Sequence, residues 1–515
     1  MINAASSLPA FAEDAKPITR NTANFHPSVW GEYFLHNHLT SAAGLQPAEE
    51  DNHVNEAQLL KEGVRKMLAS PIDNNLSFKL RFIDSVQRLG VSYHFEHEIE
   101  EALHQIHDIS TKDDNIITEE DDLCHVALLF RLLRQQGYRI LSSIFYKFKD
   151  QTGKFNERVG SDIQGMLSLY ESAQLRFHGE EILEEAHNFT VIQLTKSLNT
   201  QLKPSLAAQV KHSLKRSLRK GLPRLEATYY MSFYQEDPFH DENLLKFAKL
   251  DFNMLQELHQ KEVSNATRWW IEDLNLSANL PFARDRIVEC YFWILGIYSE
   301  PQYSVARRMI TKVIALCSVI DDMYDAYGTI DELQLFTNAI ERWDVCCLVD
   351  LPEYMKICFT AILDVFEEMK QEMGEKGKEY RINYAKKAMK SFVKSHMNEA
   401  RWLDCDHTPT IEEYMQVRMV TSGYPALITI CFAGMEDITE EVLLWTARDP
   451  KVILASSIIS RIMDDIVGDE FEQERGHIAS SIECFMKQHN TSRENAISEL
   501  REMVDSAWKD INDAC

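Results

Sequence analysis

The sequence predicts an all-α protein, because hydrophobic periodicity, missing strand patterns and sparse helix breakers all agree. Segments such as "DLCHVALLFRLLRQQGYRI" and "LLKFAKLDFNMLQELHQKEV" place apolar residues every three or four positions, which gives a helix one buried face. No alternating run bounded by Asn-Gly or Asp-Gly indicates a β-hairpin. The chain has only 14 Pro and 18 Gly, and it contains no low-complexity tract or fixed-period repeat. Helices are therefore expected along almost the whole chain.

The length predicts two domains, since 515 residues are more than one hydrophobic core usually serves. A boundary is expected at "SFYQEDPFHDENLL", where polar residues and a proline separate two helical stretches. We divide the chain into an N-terminal lead (1–19), an N-terminal helical domain (20–235) and a C-terminal domain (236–515). The basic stretch "KHSLKRSLRKGLPR" is interpreted as a solvated helix face rather than an RNA-binding surface.

The composition indicates a globular protein that neither binds nucleic acid nor spans a membrane. A net charge of −26 would repel phosphate groups unless a basic patch or metal ions intervened. No apolar run approaches the roughly 18 residues of a membrane span, and the first residues lack a secretory or organelle-targeting pattern. A cytoplasmic location is therefore expected. The ten scattered cysteines form no CxxC pair and are expected to be reduced core residues.

One apolar helix ends in three aspartates, in "VARRMITKVIALCSVIDDMYDAYG". Asp321 and Asp325, at i and i+4, should lie on one side about 6 Å apart, with Asp322 about 100° around the axis. Gly328 is expected to end this helix, and "TIDE" to begin the next with a capping box. The C-terminal end of a helix already carries partial negative charge, so carboxylates there are electrostatically unfavourable unless a cation binds to them. Mg²⁺ suits this pattern, because Mg²⁺ takes one or two carboxylates, waters and substrate phosphates. A solvated acidic helix end is the alternative.

A second acidic stretch, "ASSIISRIMDDIVGDEFEQERGH", also follows an apolar run. Asp464, Gly468 and Glu472 fall on one helix face at i, i+4 and i+8. Arg461, one turn before Asp464, is placed to hold a phosphate bidentately. An exposed acidic helix would explain this stretch alone, but two such helix ends together favour a metal site.

Together these segments resemble a plant terpene synthase of the sesquiterpene-forming type. "DDMYD" matches the family's aspartate-rich metal motif, and "DDIVGDEFE" lies in the place of its second motif, (N/D)Dxx(S/T)xxxE. "FARDRIVECYFW" matches its RxR segment, while "FHPSVWGEYF" and "LGVSYHFEHEI" resemble N-terminal landmarks. The resemblance runs from about Arg20 to the last residue. It implies a non-catalytic helical N-terminal domain and a C-terminal class I terpenoid synthase domain.

The resemblance also implies the chemistry. Three Mg²⁺ ions, with Mn²⁺ as a substitute, would bind an isoprenyl diphosphate between the two acidic motifs and invert the local field. The metal positions would be Asp321, Asp322 and Asp325 in the first motif and Asp464, Gly468 and Glu472 in the second. Departure of diphosphate would leave an allylic carbocation. Three arginines would retain the leaving group: Arg284, Arg286 and Arg461. Aromatic faces would stabilise the cation, first Trp293 and then Tyr327.

The segment "MVTSGYPALITICFAGM" resembles the broken helix that forms the family's pocket wall. Thr421 and Ser422 would contact substrate there, with an ordinary glycine kink as the alternative. Two departures from the family stand out: Gly468 replaces a hydroxyl ligand of the second motif, and Arg20-Asn21 replaces a tandem arginine pair. The chain is also expected to lack the terminal helices and the lid loop of the family, so that water would have easier access to the cation.

The sequence therefore predicts a Mg²⁺-dependent lyase that converts farnesyl diphosphate into a cyclic or linear sesquiterpene. One alternative is a monoterpene synthase using geranyl diphosphate, and another is an impaired, non-enzymatic helical protein. A chain-elongating prenyltransferase would carry a second DDxxD motif, and a bifunctional diterpene cyclase would carry DxDD; neither pattern is present.

Overall fold

The computed structural model describes residues 20, 25–36, 47–72, 76–112, 122–156, 159–475 and 479–514. The all-α prediction is confirmed, since the only β element among these residues is an isolated bridge between Lys149 and Phe155. The first helices in chain order are α1 (Tyr33–His36), α2 (Pro47–Leu68), α3 (Leu76–Arg88), α4 (Glu96–Lys112), α5 (Leu123–Gln135), α6 (Ile163–Ala173), α7 (Glu181–Ser197), α8 (Pro204–Lys215) and α9 (Pro223–Glu236).

The helices that follow the predicted boundary form the second half of the chain. They are α10 (Glu242–Arg268), α11 (Leu276–Asn279), α12 (Ile287–Leu295), α13 (Ser304–Asp322), α14 (Ile330–Arg342), α15 (Glu353–Glu375), α16 (Arg381–Asp404), α17 (Ile411–Thr421), α18 (Tyr424–Gly434), α19 (Glu440–Thr446), α20 (Lys451–Arg475), α21 (Ser481–His489) and α22 (Arg493–Ala514). Two π-helical turns interrupt the pattern, Trp269–Asp273 after α10 and Met323–Tyr327 after α13.

Separate hydrophobic cores hold the two halves, and α10 contributes to both. Its first turns, including Leu244 and Phe247, pack in a core with α2 to α5. Its last turns, through Val263, join the larger core that surrounds α13. Burying apolar surface on both ends of one long helix fixes the halves against each other. The division at residue 235 stays a prediction, and the first described helix after it, α10, begins at Glu242.

The last described helices, α20 to α22, pack with α17 in a smaller core of their own that includes Ile462 and Leu500. From there α22 reaches back to the N-terminal half. The Asn512 amide donates hydrogen bonds to the carbonyl oxygens of Gln174 (2.8 Å) and Arg176 (3.1 Å), and Arg176 pairs with Asp505. The helix that carries the second acidic motif is thus supported from both halves of the protein.

One stretch, Ile411–Gly434, is long and apolar enough by length and composition to cross a membrane, and 44% of its apolar 18-residue window is buried inside the protein. This is weak support for a span, because core helices pass the same test. The stretch consists of two helices, α17 and α18, and Gly423 between them has φ +81°. The helix break predicted at this point is therefore confirmed.

Candidate metal and diphosphate site

The first acidic motif lies where α13 ends inside the main core. Most of its side chains from Ala306 to Ile320 are buried, as the apolar sequence predicts. The regular helix was expected to continue through Asp325, and this is wrong: α13 ends at Asp322, and a π-turn follows. The Gly328 N–H donates to the Met323 carbonyl, five residues back, at 2.8 Å. The wider turn buries Tyr324, whose hydroxyl lies 2.7 Å from that of Thr337.

The next helix begins as predicted. The Thr329 side chain accepts from the Glu332 N–H, and the Glu332 side chain accepts from the Thr329 N–H, which is a complete capping box. Arg20 forms a bidentate pair with the same Glu332 at 2.7 and 2.8 Å. This pairing and the backbone N–H of Thr329 hold the pKa of Glu332 down at about 2, against the effect of burial. The end of the π-turn is therefore held rigidly on its far side.

Asp321 and Asp325 are brought together with a third side chain, His396 of α16. One potential ligand atom from each lies within 4.8 Å of the others. Both carboxylates are partly exposed, whereas His396 is buried. The pairing of the two carboxylates on one side agrees with the spacing argument, although the turn between them is π-helical.

Asp322 points the other way. It is only 2% exposed, its Oδ2 accepts from the Arg284 backbone N–H at 2.7 Å, and its Oδ1 lies 2.6 Å from Arg284 Nε. Burial raises the pKa of Asp322 to about 7, in spite of the arginine. We predicted Asp322 as one of the metal ligands, and the structure places it elsewhere. Its position about 100° around the helix axis from Asp321 turns it into the core, where it positions Arg284.

Arg284 links the RxR segment to the acidic motif. Its Nη2 lies 2.6 Å from Asp321 Oδ2, and the Phe25 ring lies 4.7 Å from its guanidinium carbon. Arg286, two residues on, is partly buried just before α12, and burial together with Arg284 lowers its pKa. In this arrangement a cation bound to Asp321 and the Arg284 guanidinium compete for the same carboxylate.

The second acidic motif lies on α20, which is one continuous helix through all its members. The Asp464 side chain is 65% exposed, and Arg461 Nη1 lies 3.2 Å from its Oδ2. Gly468 follows one turn later and is partly exposed. Glu472 belongs to the same helix, but its side chain lies outside the described residues. Asp464 is thus exposed on this helix, whereas Arg461, one turn before it, is largely buried, with 11% of its side chain exposed.

A buried polar network connects this helix to α16. Glu399 pairs with Arg418 at 2.7 Å, Arg418 Nε donates to the Tyr414 hydroxyl at 3.2 Å, and that hydroxyl donates to Asp465 at 2.7 Å. Asp465 also accepts from the Ser481 N–H at 3.1 Å. Against the effect of burial, Glu399 does most to raise the pKa of Arg418, and Asp465 and Asp325 add to the effect, so one guanidinium lies within electrostatic range of both motifs. Sequence reasoning did not identify this network, whose members are far apart in the chain.

The predicted pocket residues fall into two groups. The Trp293 ring on α12 is 45% exposed, which leaves a face available. Tyr327 is partly buried: Phe282 stacks on it at 4.1 Å, and the Arg20 guanidinium carbon lies 4.7 Å from its ring centre. Its contact with substrate stays a prediction.

The hydroxyls at the helix break are also used within the protein. Thr421 donates to Glu399, and Ser422 donates to the Met419 carbonyl at 2.6 Å. Gly423 takes the left-handed conformation that lets α18 start in a new direction. The break itself is confirmed, while direct substrate contacts by Thr421 and Ser422 stay predictions.

His396 is the candidate site residue that sequence reasoning missed. It lies in "VKSHMNEARW" on a largely apolar helix face, where Phe392 and Ala400 are one turn away on either side. A lone histidine in that pattern gives no signal of its own. Only the fold brings α16 alongside the π-turn, whose Tyr324 ring lies 5.7 Å from the imidazole.

The residues present fit a divalent cation. Two carboxylates supply the hard oxygen ligands that Mg²⁺ prefers, and they lie beside a buried imidazole without a hydrogen-bond partner among the described residues. Exposure of the carboxylates leaves room for waters and phosphate oxygens to complete the coordination.

Comparison with known proteins agrees with this geometry. Residues 272–510 match the metal-binding domain of the terpene synthase family, and residues 29–214 match the terpene synthase N-terminal domain. The chain is 51% identical to a (−)-germacrene D synthase of Vitis vinifera, over 97% of this chain and 87% of that one. It is 48% identical to a (+)-delta-cadinene synthase of Gossypium arboreum, over 99% and 89%.

Solved structures show the same architecture. A limonene synthase with 2-fluorolinalyl diphosphate superimposes with a TM-score of 0.87 at 33% identity, over 96% of this chain and 90% of that one. An isoprene synthase from grey poplar, in complex with three Mg²⁺ ions and dimethylallyl-S-thiolodiphosphate, gives 0.83 at 35% identity, over 89% and 87%. The chain therefore belongs to the terpene synthase family.

Proposed function

We propose that this protein ionises farnesyl diphosphate and converts the resulting carbocation into a cyclic or linear sesquiterpene, with release of diphosphate. The protein is a terpene synthase and hence a Mg²⁺-dependent lyase acting on prenyl diphosphates. The observation that carries the proposal is the pair Asp321 and Asp325 at the end of a buried helix, with Arg284 directly against it. Relatives at about half identity are sesquiterpene synthases, which favours a fifteen-carbon substrate.

When bound, Mg²⁺ supplies Lewis-acid stabilisation of the departing diphosphate. Asp321 and Asp325 hold it, and Asp464 with Glu472 is the proposed second set of ligands. Arg284 Nη2 lies 2.6 Å from Asp321 Oδ2, so its guanidinium stands beside the carboxylate that would hold the cation. From there it would offer a bidentate anion-binding group to the diphosphate oxygens.

The positions of Arg461, Arg286 and Trp293 in the structure suggest their proposed roles. Arg461, next to the exposed Asp464, contacts the diphosphate from the second motif, and Arg286 contacts it from the RxR segment beside Arg284. The half-exposed Trp293 offers a π face to the carbocation. We further propose that the protein acts in the cytoplasm and that residues 20–235 take no part in the chemistry.

Product analysis tests the proposal. The purified 515-residue chain is incubated with farnesyl diphosphate and Mg²⁺, and the volatiles are identified by gas chromatography–mass spectrometry, with geranyl diphosphate in parallel. Sesquiterpene hydrocarbons from farnesyl diphosphate support the proposal. Efficient turnover of geranyl diphosphate alone would make it a monoterpene synthase, and no turnover of either would favour a non-enzymatic protein. The matched control is Asp325→Asn, which keeps the shape of the side chain and removes its charge, and which should form no volatile product.

A further inference from the structure

We propose that His396 is a nitrogen ligand of the metal ion bound by Asp321 and Asp325, so that this site discriminates in favour of transition metals such as Mn²⁺ and Co²⁺ over Mg²⁺. The inference deepens the proposed function and rests on it. It concerns the identity of the ion, since an all-oxygen site and a site with one imidazole differ in the metal they prefer.

The first argument is that His396 is buried without satisfying either ring nitrogen. Its side chain is 1% exposed, and neither Nδ1 nor Nε2 has a hydrogen-bond partner among the described residues. A buried polar atom without a partner is destabilising and uncommon in folded proteins, so such a group indicates a ligand. A bound cation would satisfy the nitrogen that faces it.

The second argument is position. A ring nitrogen of His396 and one oxygen from each of Asp321 and Asp325 lie within 4.8 Å of one another. Ligands at about 2.0–2.2 Å from one ion are separated by about 3 Å when adjacent and about 4.3 Å when opposite. Side-chain shifts of about 1 Å therefore suffice to close the three atoms around a cation.

The third argument is that the ring is held in place. Phe392 meets the imidazole edge-to-face at 4.5 Å, and Tyr324 of the π-turn lies 5.7 Å away. Behind the ring, Glu399 Oε2 lies 3.9 Å from Nδ1. At that distance the two groups make no hydrogen bond, so the ring contacts, and not Glu399, hold the imidazole in place. Glu399 is itself fixed by Arg418 at 2.7 Å.

Pulsed electron paramagnetic resonance on the Mn²⁺-loaded chain tests the assignment without relying on activity. A nitrogen bonded to Mn²⁺ gives electron spin-echo modulation from ¹⁴N, and this modulation should be present in the wild type and lost in His396→Phe. Phenylalanine keeps a ring between Phe392 and Tyr324, so the fold should be retained. The control His407→Asn removes a half-exposed surface histidine and should keep the modulation.

Metal competition gives a second measurement. The ratio of the Mg²⁺ to the Co²⁺ dissociation constant should fall about tenfold in His396→Phe, the lower end of the effect known for groups that support a metal ligand. The assignment is overturned if the wild type shows no ¹⁴N modulation, whether or not His396→Phe folds. It is also overturned if His396→Phe folds and the ratio of dissociation constants is unchanged. Sesquiterpene formation with Mg²⁺ in such a protein would leave the proposed function intact.

Discussion

Replacing Tyr414 by phenylalanine isolates the hydroxyl at the centre of the buried network. Tyr414 is fully buried, and its hydroxyl bridges Arg418 Nε at 3.2 Å and Asp465 Oδ2 at 2.7 Å. Phenylalanine fills the same ring volume, so the substitution creates almost no cavity. Any loss of stability in Tyr414→Phe therefore reports the two hydrogen bonds.

The structure sets the size of the effect. A hydrogen bond to a charged group contributes about 1.5–3 kcal/mol. Asp465 keeps the Ser481 N–H at 3.1 Å, and Arg418 keeps Glu399 at 2.7 Å, so neither charge is left without a partner. We therefore expect a loss of about 2 kcal/mol rather than the 3–5 kcal/mol of a broken buried ion pair. For a unit of the size of residues 236–515, that corresponds to a decrease in Tm of about 3 °C.

Thermal unfolding followed by circular dichroism measures this change in the wild type, in Tyr414→Phe and in the control Tyr380→Phe. Tyr380 is 38% exposed, and loss of its hydroxyl should change stability by less than about 0.5 kcal/mol. If Tyr414→Phe and the wild type have the same Tm, the prediction is wrong, because the hydroxyl of Tyr414 then does not stabilise the packing of α17 against α20.

Two further predictions concern stability. Burial raises the pKa of Glu171 to about 7, compared with about 4.3 in the unfolded chain. Between these pH values the folded state binds one proton more than the unfolded state, so the free energy of unfolding falls by about 3 kcal/mol as the pH rises through them. Glu171→Gln should remove this loss, seen as a gain over wild type in urea unfolding at pH 8 but not at pH 4, and an equal gain at both would contradict it. Gly423→Ala should destabilise by about 1–2 kcal/mol, because φ is +81° there, whereas Gly374→Ala, in a helix with open space for Cβ, should be neutral or stabilising in the same assay.

Much of the fold is predictable from the sequence because local signals agree with the tertiary structure. The helical period, the capping box at Thr329 and the break at Gly423 each depend on a few neighbouring residues. The π-turn after Asp322 is different, since it depends on Tyr324 finding Thr337 in the core. A prediction from residue spacing assumes a regular helix, so it cannot include a contact between residues on two different helices.

The candidate site was predictable only where the residues lie close together in sequence. Asp321 and Asp325 pair as expected, but the same rotation turns Asp322 toward Arg284. His396 lies more than seventy residues away, and only the packing of α16 brings it to the carboxylates.

The assignment of Asp321 and Asp325 as the metal site of a diphosphate lyase is tested by one measurement. It is the rate of diphosphate release from farnesyl diphosphate as a function of Mg²⁺ concentration, in the wild type and in Asp325→Asn. The function proposed here predicts release in the wild type that saturates with Mg²⁺ and stops with a chelator. In Asp325→Asn it predicts a rate lower by at least a hundredfold at the same Mg²⁺ concentration, since loss of one charged ligand weakens both metal binding and leaving-group stabilisation. Release that is independent of Mg²⁺, or equal in the two proteins, would contradict the assignment of Asp321 and Asp325 as the metal site.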